Sequence, residues 1–411
     1  MADAGCGPAA RARLGTVQRT PADSADTPSG PSPAKRTPQA RRGGTARYTV
    51  AVSRLESHRI ANTRVPARPR GSAPAAGVLA LLAAGEEWSG SALAATLGIT
   101  RAAVWKQIEQ LRARGLMVHA VAGRGYRLDA PVELLDASRI EAAVSPEQRA
   151  QVGAIDVRWQ IDSTSSELTR TAGASSAPCA CLAEIQTAGR GRRGRSWRMP
   201  LGGGIALSYR RRFDGGMASL AGLSLVAGIA VLRAFTDCGI AGPALKWPND
   251  IVADGRKLGG ILVELGGDAL GPCHAVVGIG INLCIGTEQG AAIDQPWTDI
   301  ATLAPGAVPS RNALAGRILS RLAEALDVFS SAGFAAFENE YAQHDALHGR
   351  DIVVSAGGEA WNAIANGVTS RGALKVVREG VEVRLDSGEI SVRSGAWPAT
   401  ACMPPGSAKH R

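Results

Sequence analysis

Gln186–Trp197 reads QTAGRGRRGRSW, and its reading separates two fold classes. Gly189–Gly194 matches G-x-G-x-x-G and comes after the strand-like Cys181–Ile185, so a dinucleotide-binding crossover is weighed first. That fold needs a helix whose N-terminus holds the pyrophosphate. The next residues are Met199-Pro200-Leu201-Gly202-Gly203-Gly204, which cannot supply one. Four arginines and three glycines within Gly189–Arg195 also exclude an ordinary core element. The glycines permit close backbone approach, and Arg190, Arg192, Arg193 and Arg195 carry donors suited to phosphate or carboxylate. A solvated basic loop, a nucleic-acid contact and a flap over a nucleotide or acyl phosphate stay open on these residues alone.

Charge distribution narrows the choice. The 411-residue chain has a formal charge of +10, but residues 1–72 hold thirteen Lys and Arg against four Asp and Glu, a net of +9. The rest is near neutral at +1, so global charge gives no argument for a nucleic-acid partner of the folded part. Seven scattered cysteines without C-x-x-C pairing give neither a disulfide framework nor a zinc site, and the six histidines form no metal motif. The longest apolar candidate, Ala218–Leu232, is fifteen residues, short of the ~18–20 that a membrane span requires. A soluble protein of the reducing cytoplasm is expected, without membrane association.

Five segments are expected along the chain: 1–73 a disordered basic extension, 74–135 a winged helix-turn-helix, 136–345 a mixed-sheet α/β domain, 346–400 a small SH3-like β-barrel, and 401–411 a tail. Together they make an α+β protein. Residues 1–72 lack the aliphatic periodicity that would offset ordering entropy. From Ala76, Val78, Leu79, Leu81 and Leu82 mark one helix, Ser91–Leu97 a second, and Arg101–Arg114 a third after the turn Gly98-Ile99-Thr100. Val104, Ile108 and Leu111 lie on one face of the third helix. Thr100 caps it, and Ala102, Lys106, Glu109 and Gln110 lie opposite. A hairpin with Arg124 at its tip forms the wing. Thr100, Arg101, Ala102, Lys106, Gln110 and Arg124 are the candidate DNA contacts, and Trp105 reads equally as core or as a DNA contact.

Strands are expected at Val157–Ile161, Cys181–Ile185, Ile205–Tyr209, Ala244–Trp247, Gly260–Leu265 and Ala275–Leu283. Helices are expected at Leu220–Phe235 and Arg311–Phe329. Five short strands come last: Asp351–Ser355, Trp361–Gly367, Leu374–Arg378, Val381–Leu385 and Ile390–Arg393. Within the central region, polar groups stand where a core strand would not place them. In KWPND (246–250) Pro248 stops the ladder, so Asn249 and Asp250 turn out of it. Lys257 precedes Gly259 and Gly260, Asn282 ends an apolar run, and Asp162-Ser163-Thr164-Ser165 offers hydroxyls before a helix. Each alone reads as a turn or a cap; together they read as one site.

The set DSTSS (162–166), QTAGRGRRGRSW, KWPNDI (246–251), KLGGILVE (257–264) and GIGINL (278–283), in this order, closely resembles the catalytic domain of the biotin protein ligases. With a winged helix in front and a small barrel behind, the chain resembles the bifunctional form that also represses biotin-synthesis genes. The resemblance covers about residues 76–395. It implies a class II aminoacyl-tRNA synthetase-like catalytic domain that uses Mg·ATP to form biotinyl-5'-AMP. Biotin then passes to a lysine of the biotin carboxyl carrier protein of acetyl-CoA carboxylase. By the same match, Arg190 and Lys257 are catalytic. Ser163, Thr164, Ser165, Gln186, Gly189, Gly191 and Arg192, with those two, contact biotin. Arg192, Arg195, Trp197, Lys246, Asn249, Asp250 and Asn282 lie on the nucleotide side, with Trp197 over the adenine. Asp250 would orient the incoming lysine or a metal ion, and no residue is assigned as a metal ligand. Ser165 departs from the family, which commonly has asparagine there. Operator DNA and a ligand-linked homodimer are the further partners implied. The rivals are a DNA-binding biotin sensor without ligase activity, against which the lysine of KLGG argues, and a lipoate or octanoate transferase.

Overall fold

The computed structural model describes residues 74–394, except positions 174, 292, 294, 357–358 and 387–390. The basic extension and the tail expected at the two ends lie outside the described residues.

Helices Pro74–Leu82, Gly90–Leu97 and Arg101–Ala113 are succeeded by strands β1 (Val118–Val121) and β2 (Gly125–Leu128), which pair antiparallel. Ser89 caps the second helix by accepting from the Ala92 amide, and Gly98, at φ 66°, ends it in the left-handed region open to glycine. Thr100 caps the third by accepting from the Ala103 amide at 3.2 Å. Val78, Leu79, Leu82, Leu93, Val104, Ile108 and Leu111 close the core, as their helical spacing requires. Trp159 and Leu201, from the central region, join the same cluster.

The central sheet contains β3 (Ala154–Ile161), β4 (Cys179–Gln186), β5 (Gly204–Phe213), β6 (Ala244–Lys246), β7 (Asp250–Ala253), β8 (Arg256–Gly267) and β9 (Cys273–Asn282). Their order is β3-β4-β5-β9-β8-β7-β6. β3 and β4 run parallel and all other neighbours antiparallel, making the sheet mixed. Successive strand side chains point to opposite faces. Ala180, Leu182, Leu207, Ala275, Val277 and Ile279 therefore join one large core with the helices Leu223–Asp237 and Arg311–Ala332. The alternate positions face the other way, where Cys181 and Val276 meet Leu168 of the short helix Thr164–Arg170. Ser208, Gly278 and Gly280 share that second face by the same alternation, and the candidate site is built there.

Two expectations are corrected. Asp250 does not turn out of the ladder with Asn249: it opens β7 and pairs with Lys246 on one side and Gly260 on the other. Pro248 lies in the short interval after β6 ends at Lys246, and the chain re-enters the sheet directly after Asn249. The helix expected from Leu220 begins at Leu223, because Gly222 at φ 84° breaks the helical path and Leu220 belongs to a separate 3-10 turn.

β10 (Asp351–Ala356), β11 (Glu359–Val368), β12 (Leu374–Arg378), β13 (Val381–Leu385) and β14 (Ser391–Ser394) form an antiparallel sheet of order β13-β12-β11-β10-β14. Its inner residues, Ile352, Val354, Leu374 and Val376 among them, are continuous with the central core. The Trp247 indole N–H donates to the Gly372 carbonyl at 3.1 Å across that junction. Among the described residues no helix is long and apolar enough to cross a membrane.

Candidate active site

The arginine-rich stretch folds as a tight loop closed on itself. The Gly191 amide donates to the Arg195 carbonyl at 2.7 Å and the Trp197 amide to the Gly189 carbonyl at 2.8 Å. Arg193 and Gly194 take left-handed conformations at φ 58° and 70° to make the reversal. A Cβ on Gly189 would collide with the Trp197 carbonyl, so this position requires glycine. The loop is anchored where it leaves β4: the Thr187 and Ala188 amides donate to the carbonyls of Ile161 and Asp162.

At the start of the helix Thr164–Arg170, Ser163 is the N-cap. Ser163, Thr164 and Ser165 are buried, and their neighbourhood is a connected hydrogen-bond cluster. The Gln186 Oε1 accepts from the Thr164 amide at 2.9 Å and from its hydroxyl at 3.2 Å. Ser208 Oγ lies 2.8 Å from Thr164 Oγ1 and 2.9 Å from Ser165 Oγ. Sequence reasoning missed Ser208; a hydroxyl inside the apolar run of β5 is the signal that could have found it. Beside the cluster, Arg170 grips Asp162 at 2.7 Å and holds its carboxyl down to about 2.

Across the glycine-lined floor, Lys257 Nζ lies 2.6 Å from Asp250 Oδ1, both side chains partly exposed. Lys257 also stands 5.9 Å from the centroid of Trp197. The indole lies on the floor itself: a Cβ on Gly280 would overlap it, and Gly260 is within van der Waals reach. Its Nε1 is buried towards Gly280 and has no hydrogen-bond partner. Arg192 donates to Asn249 Oδ1 at 3.2 Å, and Asn249 is fixed in turn by donating to the Ile261 carbonyl. Burial lowers the Arg192 pKa, and the neighbouring Arg193 adds to the effect. Arg190 pairs at 2.6 Å with Glu264, a partner that sequence reasoning missed although it ends the segment KLGGILVE.

Not every expected residue faces this space. Arg195 is exposed on the loop. Asn282 is buried and donates to the Thr298 carbonyl at 3.0 Å and, at 3.5 Å, to that of Lys257. It thereby fixes the segment that crosses Lys257, where Thr298 and Pro296 bond the Lys257 backbone. The Lys246 backbone carbonyl accepts from the Asn249 amide, which closes the turn between β6 and β7. Taken together, the face offers the hydroxyl and amide groups of the Thr164–Gln186–Ser208 cluster, Arg192 and Lys257 beside Asn249 and Asp250, and Arg190 on Glu264. Such an arrangement suits a ligand with a polar head, a carboxylate and a phosphate.

Residues 159–282 match the model of the biotin/lipoate A/B protein ligase family, and residues 77–127 match a helix-turn-helix domain. The bifunctional ligase/repressor BirA of Escherichia coli strain K12 is 37% identical over 317 residues, covering 77% of this chain and 96% of that protein. The chain belongs to the biotin protein ligase family. A biotin–[acetyl-CoA-carboxylase] ligase of Paracoccus denitrificans is 35% identical, with 52% of this chain and 90% of that protein covered. Among solved structures, biotin protein ligase from Aquifex aeolicus in complex with biotin and ATP superposes with a TM-score of 0.51 at 26% identity. That match covers 59% of this chain and 99% of the other.

At the other end of this ligase-family chain, Thr100, Arg101, Ala102, Lys106, Gln110 and Arg124 are all exposed on the winged helix. Trp105 is 58% exposed, which removes it from the core. The Arg114 guanidinium reaches Gln160 at 2.9 Å, and Gln289 donates to the Gly115 carbonyl at 3.0 Å, so the third helix ends against the catalytic region.

Proposed function

We propose that the chain is an ATP-dependent biotin protein ligase and a biotin-responsive transcriptional repressor. The observation that carries the ligase reading is that Arg192 and Lys257 engage the adjacent Asn249 and Asp250 beside the glycine floor, on the sheet face that also carries the Thr164–Gln186–Ser208 cluster, while Arg190 of the same loop pairs with Glu264. Biotin's ureido ring engages that cluster, with Ser165 held beside it through Ser208. Its valeryl chain lies under Gly189–Arg192. The carboxylate oxygen attacks the α-phosphorus of ATP, the bond to pyrophosphate breaks, and biotinyl-5'-AMP remains. Lys257 and Arg190 hold the carboxylate and phosphate oxygens as negative charge builds, because fixed cations in a water-poor site need no reorganisation during the reaction. Arg192, positioned by Asn249, neutralises the phosphate, Trp197 packs against the adenine, Lys246 lies on the nucleotide side, and Asn282 acts there only by fixing the segment that crosses Lys257.

In the second half-reaction a lysine amine of the carboxyl carrier protein of acetyl-CoA carboxylase attacks the acyl carbon. AMP leaves and the amine gives up a proton. Asp250, whose Oδ1 holds Lys257 at 2.6 Å, accepts a hydrogen bond from that amine in this reading. Mg2+, which would neutralise triphosphate charge, meets only this carboxylate among the residues assigned to the site. A single carboxylate fits an ion that keeps its waters and phosphate ligands.

A Gly280→Ala substitution tests the floor. Its methyl would overlap the indole, so KM for ATP and biotin is expected to rise about tenfold while circular dichroism stays unchanged, given ~1–3 kcal/mol for overpacking. Unchanged KM would place the ligand elsewhere.

The repressor reading rests on the exposed face of Arg101–Ala113, with operator DNA as partner and a ligand-linked homodimer as the binding species. Arg101→Ala with Lys106→Ala is expected to weaken operator binding and flatten its salt dependence by about one unit of slope per lost phosphate contact, without changing ligation. Equal binding by the double variant in a mobility-shift titration would remove this face from DNA contact. We also read 74–135, 136–345 and 346–400 as separate evolutionary modules, the catalytic one class II synthetase-like and the last an SH3-like barrel.

A further inference from the structure

The second face of the central sheet carries another polar feature beyond the helix Thr164–Arg170. A cavity of about 330 Å3 opens there between Ala172, Gly173, Ser175 and Ser176, the end of β5 and the start of β9. Among the described residues its lining includes Arg210, Arg212, His274, Ser175 and Ser176, and no carboxylate. Arg212 is four residues past Ser208 along β5, roughly 13 Å at the usual strand rise, with the last turn of the helix between them.

Its electrostatics are unusual for a structural seam. Arg210 is only 4% exposed, yet its hydrogen-bond partners are neutral: the carbonyls of Leu168, Ser175 and Ala177 and the Thr171 hydroxyl. Those bonds satisfy its donors without neutralising its charge, and a buried guanidinium normally has a counter-charge. Arg212 has one acidic partner, Asp214 at 3.0 Å, but that carboxylate is 89% exposed and screened by solvent. The Ser175 oxygen accepts from the Ala177 amide, leaving its hydroxyl proton for a ligand. Burial, and then the nearby Arg210 charge, hold the His274 imidazole below its usual pKa, so it faces the cavity as a neutral ring with one N–H to donate.

We infer that this cavity is a second ligand site, which binds a small phosphate-bearing anion between Arg212, His274 and the Ser175–Ser176 hydroxyls, with Arg210 supplying the buried counter-charge. The volume exceeds that of a single oxyanion and admits a phosphate monoester. Arg210 ties this site to the helix Thr164–Arg170, whose opposite end carries Thr164 and Ser165.

Isothermal titration of the full chain at constant ionic strength, with inorganic phosphate in one arm and glycerol 1-phosphate in the other, tests this. Saturable one-to-one binding is expected in at least one arm, and tighter binding of the monoester would identify a phosphorylated metabolite rather than the free ion. Arg212→Gln with His274→Gln should lower that affinity at least tenfold. Arg192→Ala, in the arginine loop, should leave it unchanged. Because Arg212 and His274 are not fully buried, the double variant is expected to fold, and Arg212→Lys provides a milder check with a smaller loss. Absence of saturable binding, equal binding by the double variant, or loss of binding in Arg192→Ala would each overturn the assignment.

Discussion

Lys257→Ala is expected to slow biotinyl-adenylate formation by about 10²–10³-fold, the usual consequence of removing one preorganised donor from a site of developing negative charge. Lys257 stands on Asp250, next to the Asn249 that holds Arg192. Its ammonium is held by Asp250 at 2.6 Å and faces the Trp197 ring, while its backbone is clamped by Pro296 and Thr298. The side chain is therefore aimed before any ligand arrives. The variant should fold normally, because Lys257 and Asp250 both retain solvent contact. Single-turnover pyrophosphate release reads the effect directly, and a rate within a few-fold of the unmodified protein would mean that the lysine acts only in structure. Lys257→Arg keeps the charge but not its compact geometry, and should recover only part of the rate.

The second large effect concerns stability. Glu184 and Arg311 form an ion pair at 3.0 Å, with both residues over nine-tenths buried. Glu184 also accepts from the Leu135 amide, and Arg311 donates to the carbonyls of Gly204 and Glu133. The pair thus joins β4, the start of β5, the long helix at Arg311–Ala332 and the segment entering the catalytic region. Glu184→Ala would strand a buried guanidinium, at a cost of about 3–5 kcal/mol. Glu184→Gln, which keeps hydrogen-bonding capacity, should cost less. Chemical denaturation monitored by tryptophan fluorescence measures the difference. A loss below about 1 kcal/mol for the alanine variant would mean that the interior rearranges to rehydrate Arg311.

Local rules made much of the framework legible. Thr100, Ser89 and Ser163 cap helices where a short polar side chain precedes an apolar period, and the core face of Arg101–Ala113 obeys its spacing, whereas Leu223–Asp237 is buried on nearly every side and not only at its apolar spacing. Legibility ended where the deciding contact spans the fold. Pro248-Asn249 reads locally as a turn, and nothing local says that Asp250 re-enters the sheet between Lys246 and Gly260. Glu264 is 74 residues from Arg190, and only the pairing of β8 with β9 beside the loop brings them together. Ser208 is hidden in the same way, since strand alternation cannot tell a buried hydroxyl that packs from one that organises Thr164 and Ser165. The arginine loop shows the limit most clearly. Its composition announces an anion, but the resting place of Trp197 on Gly280 depends on a glycine 83 residues away.

The central claim is that this site activates biotin and transfers it to protein. It is tested most directly by incubating the purified chain with biotin, Mg·ATP and a biotin carboxyl carrier domain, and weighing the acceptor by mass spectrometry. The expected result is a gain of one biotinyl group on a single acceptor lysine, dependent on ATP and abolished when that lysine is replaced. No mass gain, with operator binding still responsive to biotin, would contradict it and leave a biotin-sensing DNA-binding protein.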